Sequence, residues 1–174
     1  EQIDLVARTF DKFKTEQNQI IVDPAMADFG KLYPAFDEAF AAKMATLCAK
    51  ADIIIPNITE ASFMTGVPYQ EDYDEDYVKE MLKKLSELGS SISILTGVSF
   101  DQDTTGVMGY DQQADEYFYY QHEKIDANFH GTGDVFSSTL VGAMANGFTW
   151  KEALPIAADY TAKCIELTLA DEKG

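Results

Sequence analysis

Three short apolar runs, each stopped by a proline or glycine and each set apart from the next by helix-length chain, constrain this sequence more than any other feature. Gln19 to Asp23 (QIIVD) ends at Pro24, Ala51 to Ile55 ends at Pro56, and Ser91 to Thr96 (SISILT) ends at Gly97. Brief apolar runs bounded by breakers read as strands buried on both faces. Between them, Ala35 to Lys50 is rich in Ala, Phe, Met and Leu, Thr59 to Thr65 is a shorter segment, and Asp74 to Leu88 is ended by Gly89; all three read as helices. Residues 24 to 34 read as loop. Ile3, Val6, Phe10 and Phe13 recur with helical spacing, so an amphipathic helix starts the chain. Strands alternating with helices require right-handed crossovers, which produce a mostly parallel sheet with helices on both faces. After Gly97 the rhythm changes. Thr104 to Tyr110 and Glu116 to His122 flank Asp111, Gln112 and Gln113 and suggest an antiparallel pair at the sheet edge. Helices over Asp134 to Asn146 and Trp150 to about Asp171 follow, parted by Gly147, and the chain ends at Gly174. Neither repeats nor linkers interrupt the pattern, so residues 1–174 read as one α/β domain.

The 174 residues are 46% hydrophobic, enough for a sizeable core, and carry a net charge of −17. Without a cluster of Lys and Arg, a nucleic-acid surface is excluded. No segment approaches the roughly 20 apolar residues of a membrane span, and the start, EQIDLVARTF, lacks the basic and apolar regions of a secretory signal. Cys48 and Cys164 have no metal-ligand spacing and read as reduced thiols of a cytoplasmic protein. The acidic stretch from Glu71 to Asp76 reads as a solvated loop leading into a helix. A chain this acidic binds an anionic nucleotide only with helix N-termini and a divalent cation at the site, which points to Mg²⁺.

In open α/β sheets, ligands sit beyond the C-terminal ends of the strands. Four groups of residues fall there: Asp23, Asn57 with Glu60, Thr96 with Gly97, and Gly131-Thr132-Gly133-Asp134 at the start of the VFSSTLVGAMAN helix. The last group combines a flexible turn with the unpaired N–H groups and positive dipole end of a helix, a place for a phosphate or a developing anion. Asp134 beside it could accept a proton from an attacking hydroxyl. It could equally be an N-capping Asp. Asn57 and Glu60 offer oxygen ligands suited to Mg²⁺, yet the same spacing is that of a capping box. Asp23 could support a metal through water or merely cap a turn, and Thr96-Gly97 offers either a phosphate contact or a tight strand exit. His130 reads as a loop residue and His122 as part of the edge strand. Neither a P-loop nor a G-x-G-x-x-G motif occurs, so a nucleotide would be held by some other architecture.

The segments IIVDPAMADFGKLYP (20 to 34), ADIIIPNITEASFMTG (51 to 66), ILTGV (94 to 98) and the G-T-G-D run, in this order, resemble the ribokinase-like superfamily and, within it, the pyridoxal (pyridoxamine) kinase group. The resemblance covers nearly the whole chain. It implies a three-layer α/β/α fold and ATP-dependent phosphorylation of the 5′-hydroxymethyl of pyridoxal, pyridoxamine or pyridoxine. By the same resemblance Asp134 is the catalytic base, the amides of Gly131, Thr132, Gly133 and Asp134 form an anion hole, and Thr132 contacts phosphate. Asn57 and Glu60 hold Mg²⁺ directly or through water, Asp23 lies near the phosphates and metal with a monovalent cation such as K⁺ close by, and Thr96 with Gly97 lies near the nucleotide phosphates. A homodimer is implied for the full-length protein.

Two departures stand out. Ala27 occupies a position where the family often has Gly, and the family's N-terminal strands, which carry most vitamin-contacting residues, have no counterpart. The expectation is a C-terminal portion that by itself binds nucleotide weakly and lacks turnover, with an exposed sheet edge. Hydroxymethylpyrimidine (phosphate) kinase, which shares the fold and the G-T-G-D logic, is the enzymatic alternative. A non-catalytic small-molecule-binding or interaction module is the alternative from another class.

Overall fold

The computed structural model describes residues 2–127 and 129–171; Gly174 lies outside them. Helix α1 (Gln2–Phe13) is followed by strand β1 (Ile21–Val22), the short strands β2 (Ala27–Asp28) and β3 (Lys31–Leu32), and helix α2 (Glu38–Cys48). Strand β4 (Ile53–Ile54), helices α3 (Ile58–Thr65) and α4 (Glu75–Ser86), and strands β5 (Ile92–Val98), β6 (Thr104–Asp111) and β7 (Glu116–Glu123) come next. Helices α5 (Thr132–Ala145) and α6 (Trp150–Ala170) complete the order.

The five-stranded sheet runs β1-β4-β5-β6-β7. β1, β4 and β5 are parallel, β6 is antiparallel to β5, and β7 is antiparallel to β6. Only β6 therefore runs against the common direction, and the expected antiparallel pair occupies the edge. Alternation along the central strands sends neighbouring side chains to opposite faces. Ile54, Leu95 and Met108 join a core with α2, α3 and α4, whereas Ile53, Ile55, Ile94 and Val107 join a second core with α5 and α6. This division is the physical content of the three-layer α/β/α arrangement. Both cysteines are free, and burial pushes the Cys48 thiol up to about 12. Among the described residues, no helix is long and apolar enough to cross a membrane.

Two expectations need correction. Residues 24 to 34 are not simply loop: β2 and β3 form a small antiparallel hairpin pairing Ala27 with Leu32 and Asp28 with Lys31. Its strands are too short for sequence periodicity to register, and its stability comes from contacts to α3. The third strand does not stop at Thr96 but continues through a bulge to Val98, pairing with Gly106 of β6. Gly97, at φ 70°, supplies the bulge conformation.

Candidate active site

All nine residues singled out at the strand ends line one cleft of about 700 Å³: Asp23, Asn57, Glu60, Thr96, Gly97, Gly131, Thr132, Gly133 and Asp134. Their convergence follows from topology. β1, β4 and β5 point the same way, so the segments leaving them emerge at the C-terminal end of the parallel strands, and α5 starts there too.

Asn57 and Glu60 form the capping box of α3. The Glu60 N–H donates to Asn57 Oδ1 at 2.9 Å, and the Asn57 N–H donates to Glu60 Oε2 at 2.9 Å. The carboxylate also reaches sideways: Glu60 Oε1 accepts from the N–H groups of Met26 at 2.9 Å and Ala27 at 3.4 Å, while Asn57 Nδ2 donates to the Ala27 carbonyl at 2.8 Å. Glu60 is only 3% exposed, and burial pushes its pKa up to about 7, against the pull of the backbone N–H donors. The charge of Asp23 pushes in the same direction as burial.

The start of α5 is built differently. Gly131 is its N-cap, at φ 88°, and makes no side-chain capping bond. Asp134 is thus not the cap; it lies in the first turn, is exposed, and its carboxylate accepts no hydrogen bond among the described residues. The N–H groups of Thr132, Gly133 and Asp134 likewise find no acceptor among them, so they are free to receive one from a ligand. Asp23 leaves the end of β1 half-buried, and its Oδ2 accepts a 2.6 Å hydrogen bond from Ser137, one helical turn beyond Asp134. Burial raises the Asp23 pKa, the Ser137 bond opposes that rise, and the nearby Asp134 charge adds to it.

Several lining residues escaped the sequence reading. Ser137 is one, although its spacing of three from Asp134 on a helix was a usable signal. Ala158, Thr161, Ala162 and Ile165 of α6 and Thr105 and Val107 of β6 line the cleft as well. His122 and His130, which the sequence reads as an edge-strand and a loop residue, also line the cleft.

The donor set fits Mg²⁺ in its usual partly hydrated form. Asp23, Asp28, Glu60 and Asp134 face the cleft against one lysine, Lys31, so a polyphosphate would need a cation to enter. Asp23 keeps Oδ1 without a protein hydrogen bond among the described residues. Asn57 Oδ1 and both Glu60 oxygens already accept backbone N–H groups, which favours a bridging water over direct ligation. No cluster of three or more His, Cys, Asp or Glu residues placed to hold a metal by themselves occurs among the described residues.

Residues 1–174 match the phosphomethylpyrimidine kinase family along their whole length. The chain belongs to that family. A pyridoxine kinase from Bacillus subtilis is 31% identical over 169 residues, covering 94% of this chain and 59% of the relative. A candidate phosphomethylpyrimidine kinase from Bacteroides thetaiotaomicron, crystallised with pyridoxal, superposes with a TM-score of 0.91 at 32% identity, covering 98% of this chain and 60% of the other. A Bacillus subtilis pyridoxal kinase solved as an ADP complex gives a TM-score of 0.74 at 26% identity over 89% of this chain and 57% of that one. The chain thus spans about three fifths of the length of family members it matches.

Proposed function

We propose that this chain supplies the nucleotide-binding and catalytic part of an ATP-dependent kinase acting on the 5′-hydroxymethyl group of a B6 vitamer, with residues 1–174 as one α/β domain. The observation that carries this reading is the meeting, in one cleft, of the α5 N–H groups and the Asp134 carboxylate, both without partners among the described residues, and the strand-end acid Asp23. The pyridoxine kinase relative, the pyridoxal-bound structure and the ADP complex support it.

In the proposed step, the acceptor hydroxyl oxygen forms a new bond to the γ-phosphorus of ATP as the bond from that phosphorus to the bridging oxygen breaks, and ADP leaves with that oxygen. Asp134 accepts the hydroxyl proton. The N–H groups of Thr132, Gly133 and Asp134 stabilise the charge on the phosphoryl oxygens. Mg²⁺, held by Asp23 and through water by Asn57 and Glu60, would supply neutralisation of the nucleotide phosphates. Thr96 and Gly97 lie beside the phosphates in this reading.

A second reading, phosphorylation of hydroxymethylpyrimidine, is favoured by the family description itself. Turnover of the full-length gene product containing these residues, measured side by side with pyridoxal and hydroxymethylpyrimidine, decides between them. Preference for pyridoxal supports the vitamin B6 reading; preference for the pyrimidine replaces it, and ATP-dependent turnover of neither removes both.

A further inference from the structure

The β2–β3 hairpin turns through Phe29 and Gly30, at φ 48° and 74°. Two consecutive left-handed residues in a two-residue turn make the type I′ pattern, which favours Asn-Gly or Asp-Gly because a bulky side chain is strained there. Gly30 meets the demand. A Cβ at that position would also lie 2.9 Å from the Tyr69 ring. Phe29 does not meet it, and no packing compensates: it is 66% exposed, belongs to neither core, and joins no ring pair among the described residues.

The hairpin that carries this residue is nonetheless tied down. The Gly30 N–H donates to Thr59 Oγ1 at 3.0 Å, the Tyr33 N–H to the Met26 carbonyl at 2.9 Å, and the Met26 N–H to Glu60. A strained aromatic is therefore held at a defined place. That place is the wall between the main cleft and a neighbouring hollow of about 540 Å³, where Phe29 lines both beside Asn57 and Thr96.

We propose that Phe29 contacts substrate, its ring stacking on the flat heteroaromatic ring of a bound ligand: the adenine of a nucleotide or the ring of the hydroxymethyl acceptor. This rests on the kinase reading above. An exposed phenyl face at a cleft mouth is suited to such stacking, which is tolerant of ring identity. Phe29→Asn removes the strain and the ring together, so the two consequences carry opposite signs.

The experiment measures melting temperature, and Kd for ADP and for pyridoxal separately by calorimetry, in the full-length gene product as wild type, Phe29→Asn and Phe29→Tyr. Phe29→Asn is expected to raise Tm by about 2 °C and to weaken at least one ligand about tenfold. Phe29→Tyr keeps the wild-type affinity, and the ligand that weakens identifies the ring. Unchanged affinity for both ligands overturns the proposal, as does a Tm that stays or falls, since Phe29 would then be packing against protein. A wild type that binds neither ligand overturns the kinase reading, and the stacking with it.

Discussion

Two helix N-termini face the same cleft and are finished in opposite ways. At α3, Asn57 and Glu60 satisfy each other's backbone N–H groups, and Glu60 takes two further N–H donors from the hairpin segment, all within a buried pocket. At α5, a left-handed glycine caps the helix with no side-chain bond, and the aspartate of the first turn stays exposed and without a hydrogen bond among the described residues. Both ends carry the same dipole and the same orphan donors. The difference teaches where free energy is spent: the α3 end uses its polar groups to fix the fold around the cleft, while the α5 end leaves its groups open to the cleft.

Exchanging the loss of a carboxylate between the two ends tests that contrast most strongly. Asp134→Asn in the full-length gene product is expected to cut turnover by at least about 10²-fold while shifting Tm by less than about 2 °C, because the carboxylate holds nothing in place. Glu60→Ala should do the reverse in emphasis. It leaves the buried N–H groups of Met26 and Ala27 and the half-buried N–H of Asn57 unpaired, and the cost in urea unfolding should reach about 3 kcal/mol. Equal loss of stability in both variants would erase the distinction between a closed and an open helix end.

The same contrast marks what the sequence could and could not reveal. Apolar runs ended by Pro24, Pro56 and Gly97 were sufficient to place three parallel strands, and their common direction gathered all nine candidate residues in one cleft. The choice between metal ligand and capping box at Asn57 and Glu60 was not legible, since the spacing is identical for both. It depends on the Met26 and Ala27 N–H groups, some thirty residues earlier in the chain. The hairpin was missed for the same reason: its strands hold two residues each, and its anchors are Thr59 and Glu60. The α6 lining was illegible because Ala158 belongs to the core and its neighbours on α6 carry no polar pattern that marks a cleft.

Closure of the α3 end also predicts an inverted pH response. The Glu60 pKa rises from 4.5 to about 7 on folding, chiefly because burial penalises the charged form. Over that window the folded state keeps a proton that the unfolded state has lost, so the contribution to stability is present below about pH 4.5 and is lost as pH rises to about 7. Chemical unfolding at pH 5 and pH 7.5 should show a decline of about 2 kcal/mol from this group. Glu60→Gln, uncharged throughout, should flatten that part of the profile. A wild type whose stability climbs across the same interval would mean that the three backbone donors outweigh burial, and the carboxylate would then be an ordinary anion in the folded state.

The smallest expected effect probes the open end. Gly131 sits at φ 88°, where an L side chain is strained, but among the described residues a Cβ there would meet only Asp134 Oδ2, at 3.9 Å. Gly131→Ala therefore adds conformational strain almost without a steric clash. The strain costs about 1 kcal/mol, or a Tm decrease of about 2–4 °C. If the α5 N–H groups bind phosphate, relaxation of that strain tilts the first turn, and the KM for ATP should rise several-fold while binding of pyridoxal alone is unchanged. A loss confined to stability, with nucleotide affinity intact, would show that the left-handed cap serves only to start the helix, and the two ends would then differ in geometry but not in purpose.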